Sequence, residues 1–147
     1  MCRGILGTKE GMTGIFLSSG DYVPVTVVQV GPCVITQIKT KQIDGYNALQ
    51  LAYKNKKEHR VCKPQKGHFK KSGDLCFSYL REFETQEPEK YSLGQKISLK
   101  MFKIGEKVDI TGITKGRGFS GVIKRHGFHG GRKTHGSRSH RIPGSIG

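Results

Sequence analysis

Hydrophobic and polar positions alternate with a period of two along the first part of this chain. That is the spacing of strands with one face buried. Val23, Val25 and Val27 interleave with Pro24 and Thr26. Pro24 suits a strand start or an edge, where its missing N–H costs least. The apolar run at 14–17 leads into Ser18, Ser19, Gly20 and Asp21, a turn composition that predicts a hairpin. Gly31 and Pro32 break the next run, and residues 34–39 resume a strand rich in β-branched side chains. Asp44 and Gly45 mark another turn, and 48–53 a further strand. Residues 76–83, 93–99 and 107–113 complete the pattern, with an acidic loop across 82–89. Strands this short and closely spaced predict a mainly β fold, a small barrel or sandwich.

Two segments depart from the pattern. Residues 54–74 hold Lys54, Lys56, Lys57, Arg60, Lys63, Lys66, Lys70 and Lys71 among few apolar side chains. A solvated loop or short helix is one reading. A phosphate-contact patch at Lys63, Lys66, Lys70 and Lys71 is the other. The larger departure begins near Thr114. Residues 1–109 carry 18 Lys and Arg and all 11 Asp and Glu, whereas 110–147 carry eight Lys and Arg and no acid. The same 110–147 stretch holds 10 of the 21 glycines and four of the six histidines. The predicted organisation is therefore a globular domain at 1–114 and a basic extension at 115–147.

The extension has too few apolar side chains to pack alone. Ordering its 33 residues costs roughly 30–60 kcal/mol at ~1–2 kcal/mol per residue, so it is expected to fold on a partner. A net charge of +15 makes that partner a polyanion. No apolar run is long enough to span a bilayer, and no amphipathic helix is rich in Leu or Trp. Nucleic acid remains. Lys115, Arg117, Lys124, Arg125, Arg132, Lys133, Arg138 and Arg141 recur every few residues, a spacing suited to successive phosphates. His126, His129, His135 and His140 can stack on bases or donate to phosphate. Five of the eight cations are Arg, which favours bidentate contacts and stacking. Fully extended, the segment reaches about 110 Å at ~3.3 Å per residue.

Sharper chemistry finds little support. Gly116, Gly118 and Gly121 have dinucleotide-loop spacing and follow a predicted strand, but no helix is expected across Val122 to Gly127 and no acid follows for a ribose. The four histidines match no zinc spacing, so no metal or other cofactor is expected. Ser137, Ser139 and Ser145 lie near histidines but lack an acidic orienting partner, so no catalytic residue and no small-molecule substrate are expected. Cys2, Cys33, Cys62 and Cys76 form no close pair and read as reduced thiols. The first ten residues carry neither a secretory apolar stretch nor a transit-peptide composition, which makes the cytoplasm the expected compartment. On charge alone a free RNA chaperone or DNA-binding module is the rival reading. An enzyme with a nucleotide site at 116–121 is the second.

The residues also resemble a known family. Gly4-Ile5-Leu6-Gly7-Thr8-Lys9-Glu10-Gly11-Met12-Thr13 is similar to the start of the bacterial-type large-subunit ribosomal protein L three family. Val23 to Val28, Val34 to Gln37, Asp44-Gly45-Tyr46, Lys63-Pro64 and Gly67-His68-Phe69 match further along. The most specific runs are Val108 to Gly112, Lys115 to Gly121, Thr134 to Ser137 and Ser139 to Gly147. The resemblance implies a translation-factor-like β-barrel and a long basic loop that reaches towards the peptidyl transferase centre. It implies a structural role in early assembly, on large-subunit (23S-type) rRNA, beside ribosomal proteins L fourteen and L nineteen, with RNA as the catalyst. It places the chain in the ribosome, bacterial by the lack of a transit peptide, with an organellar ribosome as the alternative. Family members continue past the Pro-Gly-Ser-Ile-Gly run and return to add strands to the barrel. The resemblance therefore implies that the closing strands are absent here, that Gly147 falls partway along the family's loop, and that the barrel keeps an open edge.

Overall fold

The computed structural model describes residues 4–147. Cys2, read above as a reduced thiol, lies outside the described residues. The chain forms two compact units, one running to Glu106 and one spanning Lys107–Gly147. That division falls ahead of the composition boundary near Thr114.

The first unit is built on the most apolar strands. A hairpin of β1 (Gly7–Phe16) and β2 (Tyr22–Val30) precedes β3 (Cys33–Lys39) and a single helical turn, α1 (Lys41–Asp44). Then come β4 (Ala48–Asn55), α2 (Lys63–Lys70), β5 (Phe77–Glu84) and the short β6 (Lys96–Ile97). β3 and β4 pair antiparallel, Val34 opposite Ala52 and Lys39 opposite Ala48, in a sheet of order β5-β4-β3-β6. Period two sorts their side chains. Cys33, Ile35, Leu49, Leu51 and Tyr53 join Ile97 in one buried cluster, closed by Ile5, Leu6, Phe83 and Tyr91. Val34 and Ala52 join Val61, Phe69, Cys76 and Phe77 in another. With both faces covered, β3 and β4 read as nearly continuous apolar runs.

α2 is short, and Phe69 is its one buried residue. Pro64 sits in its first turn, where no helical hydrogen bond is lost. The Phe69 ring meets Phe77 edge-on at 5.7 Å. A bulge at Thr36, between Ile35 and Gln37, adds a polar tie. Its buried hydroxyl donates to Gln50 Oε1 at 2.9 Å, and His68 Nε2 of α2 lies 2.6 Å from the same oxygen. The bulge, the central strand and the helix are thereby joined at one amide.

Among the described residues the hairpin pairs only with itself, Gly7 opposite Val30 and Phe16 opposite Tyr22. Tyr53 ties its base to the sheet. The Tyr53 hydroxyl accepts from Thr8 Oγ1 at 3.3 Å and donates to the Gln29 carbonyl at 3.3 Å, and those two residues are register partners.

The mainly β class and the hairpin are as expected, but the expectations for 93–99, 107–113 and Val122 to Gly127 need correction. Among the described residues there is no closed barrel. The structure has a two-stranded and a four-stranded sheet, and closure needs every outer strand edge paired with a neighbour. The strand expected at 93–99 shrinks to Lys96–Ile97. The strand expected at 107–113 is irregular, with Val108, Ile110 and Ile113 exposed. A β-branched run becomes a strand only where a neighbour takes up its N–H and C=O groups. A helix does follow Gly121: α3 (Val122–His126). Among the described residues no helix is long and apolar enough to cross a membrane. No group of His, Cys, Asp or Glu there could hold a metal.

Candidate nucleic-acid interface

The Lys107–Gly147 unit is organised by its glycines. Gly121 opens α3, and Gly127 closes it in the left-handed region at φ 71, its N–H donating to the Ile123 carbonyl at 3.0 Å. Lys124, Arg125 and His126 occupy the last turn. There, cations offset the partial negative charge of the exposed carbonyls. Beyond α3 the chain folds back on itself. The Gly131 N–H donates to the Ser139 carbonyl at 3.2 Å, and His140 Nδ1 lies 3.0 Å from the Arg132 carbonyl. A Cβ at Gly130 or Gly131 would overlap the carbonyl oxygens of His140 and Ser139. Only glycine lets these two stretches of backbone approach so closely. The loop turns at His135 and Gly136, both at positive φ.

This folding gathers the predicted residues into two groups. A cleft of about 600 Å³ is lined by Ile123, Gly130, Gly131, Lys133, His140 and Arg141. A smaller one of about 340 Å³ is lined by Arg117, Gly118, Ser120, Lys124 and Arg125. Lys115, His126, His129, His135 and Arg138 line neither and are exposed, and the Arg132 carbonyl lies 3.0 Å from Nδ1 of His140, which lines the first cleft. The unit has a single acid, Asp109, and none of its cations forms an ion pair within it among the described residues. An unpaired, exposed set of cations keeps its full attraction for phosphate. Ile123, Gly130 and Gly131 were not singled out from the sequence. The adjacent glycine pair was the signal available.

The nucleotide-loop reading fails on different grounds from those expected. A helix follows Gly121, but it has five residues, and the preceding segment is irregular rather than a strand. The strand–turn–helix frame that holds a pyrophosphate is missing.

The lysine segment of the globular unit lies on and around α2. Lys63, Lys70 and Lys71 are exposed. Lys66 is 3.0 Å from Glu58 Oε1, and its hydrogen bond holds that carboxyl below its ordinary value. Elsewhere the unit neutralises its own charges. Tyr46 donates to Glu82 Oε2 at 2.7 Å while Lys39 donates to the Tyr46 hydroxyl at 2.7 Å and reaches Glu82 Oε1 at 2.9 Å. These bonds hold the Glu82 carboxyl low and push the Lys39 ammonium up. Lys90 does the same for Glu87 at 2.6 Å.

Comparison with known proteins adds a family. The family described as Ribosomal protein L3 matches residues 82–147. The large ribosomal subunit protein uL3 of Desulfosudis oleivorans is 61% identical over 147 residues, covering 100% of this chain and 71% of its own length. That of Desulfatibacillum aliphaticivorans is 59% identical, with 100% and 70% covered. That of a Prochlorococcus marinus strain is 49% identical, with 100% and 68% covered.

Proposed function

The chain belongs to the ribosomal protein L3 family, and from that premise we propose that it is a structural, non-catalytic constituent of the large ribosomal subunit whose Lys107–Gly147 unit grips large-subunit rRNA. The observation that carries this reading is the run of eight exposed Lys and Arg side chains across 110–147 with no acid among them. Arg117, Lys124 and Arg125 form one grip around a small cleft, and Lys133, His140 and Arg141 another. Lys115, His126, His129, Arg132, His135 and Arg138 extend the contact along the RNA. Its setting is the ribosome in the cytoplasm, and the relatives above are bacterial proteins.

Finer assignments belong to the same proposal. The segment 115–147 acts as an extension directed towards the peptidyl transferase centre, the globular domain spans 1–114, the protein joins early in assembly, and ribosomal proteins L fourteen and L nineteen are its neighbours. Multiple phosphate contacts predict affinity that falls steeply with salt. The chain is expected to co-sediment with large subunits through a moderate-salt wash, and recovery only in the free pool would overturn the reading. Protease is expected to cut the RNA-free chain first between Lys115 and Arg141 and to spare that stretch in assembled subunits. Equal protection in both states would remove the argument that this segment orders on RNA.

A further inference from the structure

We propose that His140 reads the sugar of one bound nucleotide: its Nε2 accepts a hydrogen bond from a ribose 2′-hydroxyl, while Lys133 and Arg141 hold the neighbouring phosphate. The inference rests on the RNA-binding reading above and deepens it, from attraction to a polyanion to a contact that tells RNA from DNA.

The chemistry of one hydrogen bond carries it. His140 Nδ1 lies 3.0 Å from the Arg132 carbonyl oxygen. A carbonyl oxygen only accepts, so a proton sits on Nδ1. In the neutral ring the other nitrogen is then a bare acceptor. Among the described residues Nε2 has no hydrogen-bond partner, and His140 is exposed and lines the cleft with Lys133 and Arg141. A bare acceptor cannot bond a phosphodiester oxygen, which is an acceptor too. It needs a donor. The 2′-hydroxyl is a donor that every ribonucleotide carries whatever its base, and DNA lacks it. Lys133 and Arg141, on the same cleft, supply charge-assisted donors for the phosphate beside that sugar.

The ring is also held in place. The Gly131 N–H donates to the Ser139 carbonyl at 3.2 Å, so residues 131 and 132 are tied to residues 139 and 140 by two adjacent hydrogen bonds. A Cβ at Gly130 would overlap the His140 carbonyl oxygen, which places the His140 backbone hard against glycine backbone. An acceptor fixed in this way loses little conformational freedom on binding, and that pre-organisation favours the contact. Among the described residues no ring nitrogen of His126, His129 or His135 has a hydrogen bond, so the fold selects a tautomer at His140 and not at those three.

The test uses the full chain at about pH 8, above the ordinary imidazole range. Affinity is measured for three single strands of one sequence: RNA, 2′-O-methyl RNA and DNA. The preference of the parent for RNA over the other two is expected to shrink roughly 2- to 13-fold in His140→Asn, the worth of one hydrogen bond. Asn keeps an N–H for the Arg132 carbonyl and places no acceptor where Nε2 stood. An RNA preference unchanged in this variant would overturn the inference and leave His140 as a brace of the loop. An equal loss on all three strands would also overturn it, because the contact would then be to phosphate or base. Nitrogen NMR of the imidazole in the RNA-bound chain supplies a readout apart from affinity. The Nδ1–H tautomer is expected there, and the Nε2–H tautomer would overturn the inference. The double variant Lys133→Gln, Arg141→Gln is expected to weaken all three strands and to flatten the plot of log affinity against log salt by about 1–2. Unchanged binding in the double variant would remove the RNA-binding reading at this cleft. Weakened binding there, beside an unaltered RNA preference in His140→Asn, would leave that reading standing and remove the role of His140 alone.

Discussion

Replacing Phe69 with Ala tests what fastens α2 to the sheet. Phe69 is 1% exposed and is the only buried residue of α2. Its ring packs edge-on against Phe77 within the cluster that holds Val34, Ala52, Val61 and Cys76. Truncation removes the buried ring and leaves a cavity that strands β3 and β4 cannot collapse to fill, a change that costs about 3–5 kcal/mol. A unit of this size has a total stability of about 5–15 kcal/mol, so the loss is a large share of the whole. With a urea dependence of about 1–3 kcal/mol per M, the unfolding midpoint should drop by roughly 1–5 M. Far-UV circular dichroism follows the transition, and amide exchange should rise first across Lys63–Lys70, which loses its one buried side chain. Ile43→Ala is the control: Ile43 is 88% exposed on α1, and its loss should stay within about 0.5 kcal/mol. A cost below about 1 kcal/mol for Phe69→Ala, or no local change in exchange at α2, would refute the claim that this one side chain seats the helix.

Three further outcomes follow from the geometry. Tyr53→Phe deletes the hydroxyl that accepts from Thr8 and donates to Gln29. It should cost about 1–3 kcal/mol and raise amide exchange in the β1–β2 hairpin more than in β3 and β4; uniform exchange would show that the hairpin is held elsewhere. Glu82→Gln tests the Tyr46–Lys39 cluster by pH. The Glu82 carboxyl is held below its ordinary value of 4.5, chiefly by the Tyr46 hydroxyl and then by Lys39, so its contribution is present above that value and lost as pH falls through the lower folded value. Parent and variant should differ in thermal midpoint near neutrality and converge in acid, and a gap that persisted in acid would contradict the cluster. Gly131→Ala drives a Cβ into the Ser139 carbonyl and should open the loop. Losing a hydrogen bond of about 0.5–1.5 kcal/mol should weaken rRNA binding roughly 2- to 13-fold, with unfolding of the globular unit unchanged.

Parts of this architecture were legible because their cause is local. The hairpin is written in Ser18, Ser19, Gly20 and Asp21 between two apolar runs. β3 and β4 follow from β-branched side chains flanked by turn residues. The 107–113 run shows where that logic stops. Its Val108, Ile110 and Ile113 have strand propensity, but strand structure is a property of a pair, and the structure supplies no partner there. α3 shows the reverse. Val122 to His126 lies between glycines that argue against a helix, yet Gly121 and Gly127 serve as its two caps. A glycine at a helix end stabilises what a glycine inside would break.

The sequence by itself determined the chemistry of the partner. A stretch with eight cations and no acid attracts phosphate whatever its conformation, because net charge does not depend on folding. The resemblance of its residue runs pointed to the family. Tertiary structure decided which cations act together and which are already engaged. Arg117, Lys124 and Arg125 line one cleft, and Lys133, His140 and Arg141 another, the latter where Gly130 and Gly131 let two stretches of backbone approach closely. Lys66 drops out of the lysine segment because Glu58 lies beside it, whereas Lys63, Lys70 and Lys71 remain free to meet an external anion. Charge is additive along a chain, but pairing depends on distance through space, and only the fold sets that distance.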